Sequence, residues 1–247
     1  MVHVSDSDRK WWFRVGGLSA IAVAVLYLLI VVLYVSVGGT IPSETEEILE
    51  FLGGHTMELW AIIALSVLTN FLYLPVALSL YLALREINRN AVLVGAGLLV
   101  LFTVLENTVS WPNFVSLVEL SNDYASATSG AQQAAILGAA TYATSVVGSA
   151  FLPIYATLVP ALGELIIGFV MRRSTFGKAT AYVAMIAGIL GVVSVVGRFI
   201  VDVLGQVVII ASVLAMIWFF LVGYRLCRLG QEDHQRGSGG ATRMGSA

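Results

Sequence analysis

Long runs of apolar residues, separated by short polar segments, dominate the pattern of this chain. The runs lie near residues 15–37, 57–84, 91–113, 146–171, 179–200 and 204–226. Each run is close to or above the about 20 residues that a helix needs to cross a bilayer. The runs are continuously apolar and do not alternate, which excludes a transmembrane barrel, and only helices satisfy so many backbone groups without water. The pattern therefore predicts an all-α integral membrane bundle of six transmembrane helices over residues 15–228.

The first run and the stretch before the fourth run need separate treatment. The first run exceeds the about 7–15 apolar residues of a signal peptide, so it is predicted to remain as the first crossing. Residues 131–171 are apolar for about twice the length of one crossing, and Pro153 and Pro160 interrupt them. A seventh crossing would place the basic residues near 172 on the outer side. We therefore interpret 131–145 as an outer helix leading into a long, kinked fourth span, with its inclusion in that span as the alternative.

Composition excludes a water-soluble domain. Hydrophobic residues make up 58% of the chain and charged residues 11%, with a mean hydropathy of +0.90. A soluble domain carries roughly a quarter charged residues, so most of this surface must face its expected partner, the lipid bilayer. No basic tract suited to a phosphate backbone is present, which argues against nucleic acid as a partner. A membrane-protein partner or a homo-oligomer stays open.

The distribution of charge predicts the orientation. If the N-terminus (residues 1–14) is cytoplasmic, the tail (229–247), which is polar and expected to be disordered, is cytoplasmic too. Of the 13 Lys and Arg residues, Arg198 alone then lies outside, as the positive-inside rule favours. The cytoplasmic ones are Arg9, Lys10, Arg14, Arg85, Arg89, Arg172, Arg173, Lys178, Arg225, Arg228, Arg236 and Arg243. The outer segments carry Glu44, Glu46, Glu47, Glu50, Glu119 and Asp123.

Polar residues at helical spacing mark one face of the second and third spans. In the third span they are Thr103, Glu106, Asn107 and Ser110. In the second span they are Ser66, Thr69, Asn70 and Tyr73. A charged group near the bilayer centre costs at least about 2.5–3.5 kcal/mol and often marks function. Glu106 therefore predicts an ion or solute site with Asn70 and Asn107 as partners, whereas the uncharged residues also suit interhelical hydrogen bonding.

Two further sets of polar residues lie in or near the later spans. Glu164 follows Pro160, and a helix loosened by proline can line a polar cavity with a carboxylate. Alternatively, Glu164 pairs with an arginine of a neighbouring span. Arg198 and Asp202 are four residues apart at the outer end of the fifth span, which predicts an ion pair on one helical face, with a substrate clamp as the alternative.

Signals for an enzyme or a bound metal are absent from the sequence. There is no HExxH, no GxSxG, no glycine-rich phosphate loop and no histidine within a span. His55 and Glu58 share a helical face but are too few to hold a metal. We therefore predict no catalytic residue, no metal site and no cofactor.

Two segments resemble a known family. Leu82–Asn107 contains Arg85-x-x-Asn88-Arg89, which resembles a hairpin of uncharacterised bacterial and archaeal multi-pass membrane proteins, domain of unknown function forty-three eighty-six. Gly163–Leu190 resembles a later part of that family, where a glycine-containing span ends in a basic residue and Ser. The resemblance covers about Val15 to Leu226. It implies a six-helix fold in a prokaryotic plasma membrane and supplies no activity.

Three hypotheses for the function follow. The first is a non-enzymatic accessory or structural membrane protein. The second is a small-solute or ion permease with a polar site around Glu106, and the third is an intramembrane enzyme. A permease requires the polar faces of the second and third spans to meet at a wetted cavity, whereas an accessory protein would have a dry, packed interior.

Overall fold

The computed structural model of the chain describes residues 6–38, 42 and 44–231, with the side chain of Asp6 excepted. The described residues are all-α and contain no strand. The tail predicted to be disordered lies outside them from residue 232 onward. The α-helices of this part are α1 (Asp6–Ser36), α2 (Thr45–Gly54), α3 (Thr56–Leu105), α4 (Trp111–Ser126), α5 (Gly130–Val147), α6 (Val159–Met171), α7 (Lys178–Gly197) and α8 (Val207–Leu229). Two π-helical turns, Glu106–Ser110 and Ile154–Leu158, and a 3₁₀ turn, Asp202–Gln206, complete the order.

Several helices are suited to a membrane by length and composition. In the described part, five stretches are long and apolar enough to cross one: Ser7–Ser36, Thr56–Ser126, Ile154–Met171, Lys178–Gly197 and Asp202–Leu229. Large apolar side chains cover their outer faces, and Leu18, Val35 and Ile209 are 64%, 70% and 66% exposed. Water-soluble proteins rarely expose such continuous apolar surface, whereas a bundle in lipid does so on every outer face.

The long stretch Thr56–Ser126 is bent into a hairpin at Asn88. Asn88 has φ −155° and ψ 90°, outside the helical range. Its Oδ1 accepts a hydrogen bond of 3.1 Å from the N–H of Ala91, as a helix N-cap does. Asn88 thus separates a first arm (56–87) from a second arm (89–105). The arms lie side by side, because the Thr103 hydroxyl donates to the carbonyl of Asn70 at 3.2 Å.

The first and last helices are joined at one end of the bundle. A Cβ on Gly223 would lie 2.7 Å from the carbonyl oxygen of Gly17, and one on Gly17 would lie 2.9 Å from that of Gly223. No side chain fits at either position, so the backbones of α1 and α8 touch there. Arg14 Nε also donates to the carbonyl of Gly230 at 3.1 Å. We call this the basic end, and it carries Arg14, Arg85, Arg89, Arg172, Arg173, Lys178, Arg225 and Arg228.

Two hydrophobic cores stabilise the two ends. The larger core joins both arms of α3 to α1, α6, α7 and α8, with Leu84 and Trp218 fully buried. The smaller core packs α2, α4 and α5 against the far end of α1 through Leu49, Val118 and Ile30. We call this far end the acidic end, and it carries Glu44, Glu46, Glu47, Glu50, Glu119 and Asp123.

The structure separates residues 131–145 from the helix that follows them. Helix α5 ends at Val147, and the chain turns before the π-helical turn at Ile154–Leu158. Gly148 and Pro153 flank this break. Both residues favour the end of a helix, because glycine weakens a helix and proline removes a hydrogen-bond donor. Helix α5 is therefore a separate element rather than the start of one long, kinked helix.

Candidate functional site

The two π-helical turns meet in the interior of the bundle. One turn joins the second arm of α3 to α4, and the other leads into α6. Ser110 belongs to the first of these turns and Tyr155 to the second. The Ser110 Oγ atom lies 3.1 Å from the Tyr155 hydroxyl oxygen. Glu106, Ser110 and Tyr155 are 8%, 2% and 2% exposed. Such turns are frequent at functional sites, because the wider turn changes which side chains face inward.

A small cavity adjoins Glu106. It has a volume of 210 Å³, and Ser110 donates a hydrogen bond of 3.1 Å to Glu106 Oε1. Trp111 also lines the cavity, and its indole nitrogen is buried with no hydrogen-bond partner among the described residues. The remaining lining residues are Tyr27, Ile30, Tyr34, Ser66, Thr69, Asn70, Phe102 and Ala156. A carboxylate acceptor and an unpaired indole donor thus line one small chamber.

A larger cavity of 310 Å³ adjoins the small one and contains Glu164. Glu164 is 5% exposed. No hydrogen bond or ion pair joins its side chain to another group within residues 6–38, 42 and 44–231, so the pairing with an arginine that was the alternative for Glu164 is not formed there. Pro160 and Ala161 line the same cavity one turn earlier. Pro160 has no N–H to donate to the preceding turn, which loosens the helix beside the carboxylate.

Aromatic rings form the wall between the cavities. The Tyr73 ring lies 5.2 Å from that of Phe102 and 4.9 Å from that of Phe219, centroid to centroid. Its hydroxyl donates to the Tyr27 hydroxyl at 3.4 Å. Tyr27, Tyr34 and Phe102 line both cavities. The two carboxylates therefore face adjoining chambers with a shared wall of rings.

Among the described residues, each of the two cavities is lined by one carboxylate and by no basic side chain. Glu106 lines the small cavity and Glu164 the large one, and neither lining set contains Lys, Arg or His. A carboxylate in such a position favours a proton or a cationic ligand, because both remove the cost of an isolated charge. The arrangement suits positively charged ligands and disfavours anions.

The structure brings together most of the polar residues that the sequence singles out. Thr103 and Ser110 are buried, and Asn70 Nδ2 donates to Asn107 Oδ1 at 3.5 Å, so the polar faces of the two arms meet. Tyr73 faces the large cavity with Glu164 instead of the Glu106 chamber. The predicted stripe is thus divided between two sites.

The predicted pair of Arg198 and Asp202 does not form. Helix α7 ends at Gly197, and Val201 is extended, with φ −143° and ψ 112°, before the 3₁₀ turn that begins at Asp202. The two residues therefore do not share a helical face, and no ion pair joins them within the described chain. The i, i+4 argument was wrong here because it assumed one uninterrupted helix.

Sequence reasoning missed three tyrosines of the site. Tyr27, Tyr34 and Tyr155 lie in apolar runs where no second polar group marks a helical face. Tyr27 and Tyr34 are seven residues apart, or two turns of α1. That spacing places both tyrosines on one face of α1. It indicates a shared site only when the helices packed against that face are known.

The fold and the site together define an all-helical protein of the membrane type, with apolar outer faces around a polar interior. Residues 13–230 match the family described as Domain of unknown function (DUF4386). The chain belongs to this family, which confirms the resemblance seen in Leu82–Asn107 and Gly163–Leu190. No curated protein and no solved structure matches the chain. Among the described residues, no three His, Cys, Asp or Glu side chains are grouped so as to hold a metal ion.

Proposed function

We propose that the chain crosses a prokaryotic plasma membrane six times, with both termini in the cytoplasm, and acts as a permease for a small, positively charged solute. The hairpin at Asn88 supports the sixth crossing, since its arms are two antiparallel helices within the stretch Thr56–Ser126. The basic end is then cytoplasmic by the positive-inside rule.

The observation that carries the proposal is the pair of adjoining cavities with a buried carboxylate in each. In an accessory or structural protein, we expect the interior to be packed without cavities. Here the polar faces of the two arms meet beside 210 Å³ and 310 Å³ of space. Buried carboxylates in a membrane bundle commonly mark ion and solute pathways.

The charge of the acidic end supports a cationic solute. Six carboxylates lie in α2, in α4 or just before α2, and the stretch 90–171 contains no Lys or Arg. Clustered charge of one sign raises the local concentration of the opposite ion and increases its rate of arrival. The acidic end would therefore attract the solute that the interior carboxylates bind.

The position of the carboxylate cavities supports entry from the acidic end. The cavity of Glu164 is lined by the parts of α1, α7 and α8 nearer to that end. A separate cavity of 500 Å³ lies at the basic end beside Arg172, Arg173 and Lys178, and no carboxylate lines it. A cation would therefore reach the interior carboxylates from the acidic end.

Reconstitution into proteoliposomes tests the proposal. We expect the wild type to take up at least one of radiolabelled sodium, methylammonium and choline under an inside-negative potential. Glu106→Gln should lower that uptake at least about tenfold, which corresponds to losing about 1.4 kcal/mol of stabilisation of the moving cation.

Glu86→Gln is the matched control. It removes the same charge from an exposed position of α3 outside both cavities and away from the acidic end, so uptake should stay near the wild-type value. Background uptake of all three cations by correctly folded wild-type protein would overturn the permease and favour the accessory role.

A further inference from the structure

Glu164 has no internal counter-charge. It is 5% exposed, and no basic side chain lines its cavity. The ionised form of an isolated buried carboxylate is strongly disfavoured, so it needs a proton, a metal or a cationic ligand beside it. Unlike Glu106, it receives no hydrogen bond from a hydroxyl in the described chain. The partner of Glu164 must therefore come from outside the protein.

The walls of the cavity select among possible partners. Five aromatic residues line it, and the ring of Tyr73 contacts Phe102 in a tilted and Phe219 in an edge-to-face arrangement. The electron-rich faces of such rings attract alkylammonium groups, and cages of this type recognise quaternary ammonium ions. A bare Ca²⁺ or Mg²⁺ ion instead needs six or more oxygen ligands. The apolar residues that make up most of this wall cannot supply them: Ile30, Val31, Ala156, Pro160, Ala161, Ala187, Gly191, Val208, Ala211, Ala215 and Met216.

The size of the cavity limits the ligand. Its 310 Å³ lies at the lower end of the roughly 300–1,000 Å³ typical of small-molecule sites. This space accommodates a compact ion of a few heavy atoms and excludes long-chain amines.

An opening leads to the cavity from the side of the bundle. Helices α1 and α8 touch at Gly17 and Gly223 near the basic end. Closer to the acidic end, the cavity lies between the same two helices, and its lining includes the exposed residues Val31 and Ser212. The cavity therefore reaches the surface of the bundle in its half nearer to the acidic end.

We propose that the larger cavity is a binding site for a small organic ammonium ion, with the Glu164 carboxylate as counter-ion and the rings of Tyr27, Tyr34, Tyr73, Phe102 and Phe219 as its cage. This site would define the substrate class of the permease, and in that respect the inference rests on the proposed function. Binding itself requires no transport and is measured without it.

Calorimetry on the full chain in lipid nanodiscs tests the site with three probes. Choline should bind, while its uncharged analogue, in which a tert-butyl group replaces the trimethylammonium group, should bind at least about tenfold more weakly. Tetrabutylammonium should not bind, because it exceeds the cavity. Equal binding of choline and the uncharged analogue, or no binding of choline at millimolar concentration, would overturn the proposal without the use of any variant.

Variants then locate the site. Glu164→Gln should weaken choline binding at least about tenfold by removing the charge while keeping the shape, and Tyr73→Leu should weaken it by removing one ring. Glu86→Gln, at an exposed position outside both cavities, should bind as the wild type does. Unchanged affinity in a folded Glu164→Gln protein would exclude this cavity as the site.

The two proposals fail separately. Choline binding without uptake of any cation in proteoliposomes would overturn the permease and retain the site. Uptake of sodium by a protein that does not bind choline would retain the permease and overturn the site.

Discussion

The two buried carboxylates differ in what surrounds them. Glu106 accepts a hydrogen bond from Ser110, and Ser110 in turn lies 3.1 Å from the hydroxyl of Tyr155. Glu164 has no such neighbour among the described residues and faces a wall of rings. A hydrogen bond to the ionised form of a carboxylate stabilises that form. The Ser110–Tyr155 contact therefore matters beyond packing, because it fixes the hydroxyl that serves Glu106.

A double-mutant cycle tests the contact between Ser110 and Tyr155. Ser110→Ala and Tyr155→Phe each remove one hydroxyl, so their effects on the free energy of unfolding should be coupled by about 0.6 kcal/mol, as for interhelical hydrogen bonds in membrane proteins. Thermal or denaturant unfolding in detergent micelles measures the four proteins of the cycle.

Tyr142→Phe serves as the control for the tyrosine change. Tyr142 is 72% exposed on α5, so its combination with Ser110→Ala should be additive. Additive effects of Ser110→Ala and Tyr155→Phe would mean that the two π-helical turns are held together by packing alone.

At the scale of elements, a single cap decides whether the second and third spans form a hairpin. The apolar runs at 57–84 and 91–113 predict two spans, and the polar residues between them allow a turn. Most of that turn remains helical in the structure, and only Asn88 leaves the helical range. Its side chain replaces a missing backbone acceptor for Ala91 N–H, because the first amide groups of a helix lack partners of their own.

Replacement of Asn88 should destabilise the second arm. Asn88→Ala removes the cap and should lower the free energy of unfolding by about 1 kcal/mol, whereas Asn88→Ser keeps an acceptor and should have a smaller effect. For a chain of this size the loss corresponds to roughly 2–4 °C in Tm, measured by scanning fluorimetry in detergent.

The neighbouring residue supplies the control for Asn88. Asn90 is exposed, and its side chain makes no hydrogen bond among the described residues, so Asn90→Ala should leave Tm within a degree or so of the wild type. A similar loss in Asn88→Ala and Asn90→Ala would show that the hairpin owes nothing to the cap.

At the scale of the whole molecule, charge and the two carboxylate cavities are arranged along the same axis. Basic residues gather at the end where α1 and α8 touch, beside a cavity of 500 Å³ without a carboxylate. Acidic residues gather at the end nearer to the cavities of Glu106 and Glu164. Positive-inside orientation would place the acidic end outside the cell. The cavities would then be reached from the side that attracts cations.

Labelling of introduced cysteines tests this orientation. Cys227 is the single cysteine, so Cys227→Ser provides a background without thiols. In that background, a membrane-impermeant maleimide should label Asp123→Cys in intact cells, and Asn90→Cys and Thr175→Cys only after lysis. Labelling of Asn90→Cys and Thr175→Cys from different sides would contradict a bundle with six crossings.

The sequence by itself determined the helical class, the family and the inward polar faces. Each follows from local patterns: lengths of apolar runs, the Arg85-x-x-Asn88-Arg89 hairpin and the spacing of Thr103, Glu106 and Ser110. These patterns can be recognised in the sequence, because helical periodicity and the cost of polar groups in hydrocarbon act on residues that are close in the chain.

Only the tertiary structure decided which inward residues share a chamber. Tyr27 and Glu164 are distant in the chain and line one cavity, and Tyr155 reaches Ser110 across two π-helical turns. The separation of Arg198 from Asp202 also depends on where α7 ends. Local periodicity cannot specify such contacts, because they depend on how helices pack and where a helix departs from α geometry.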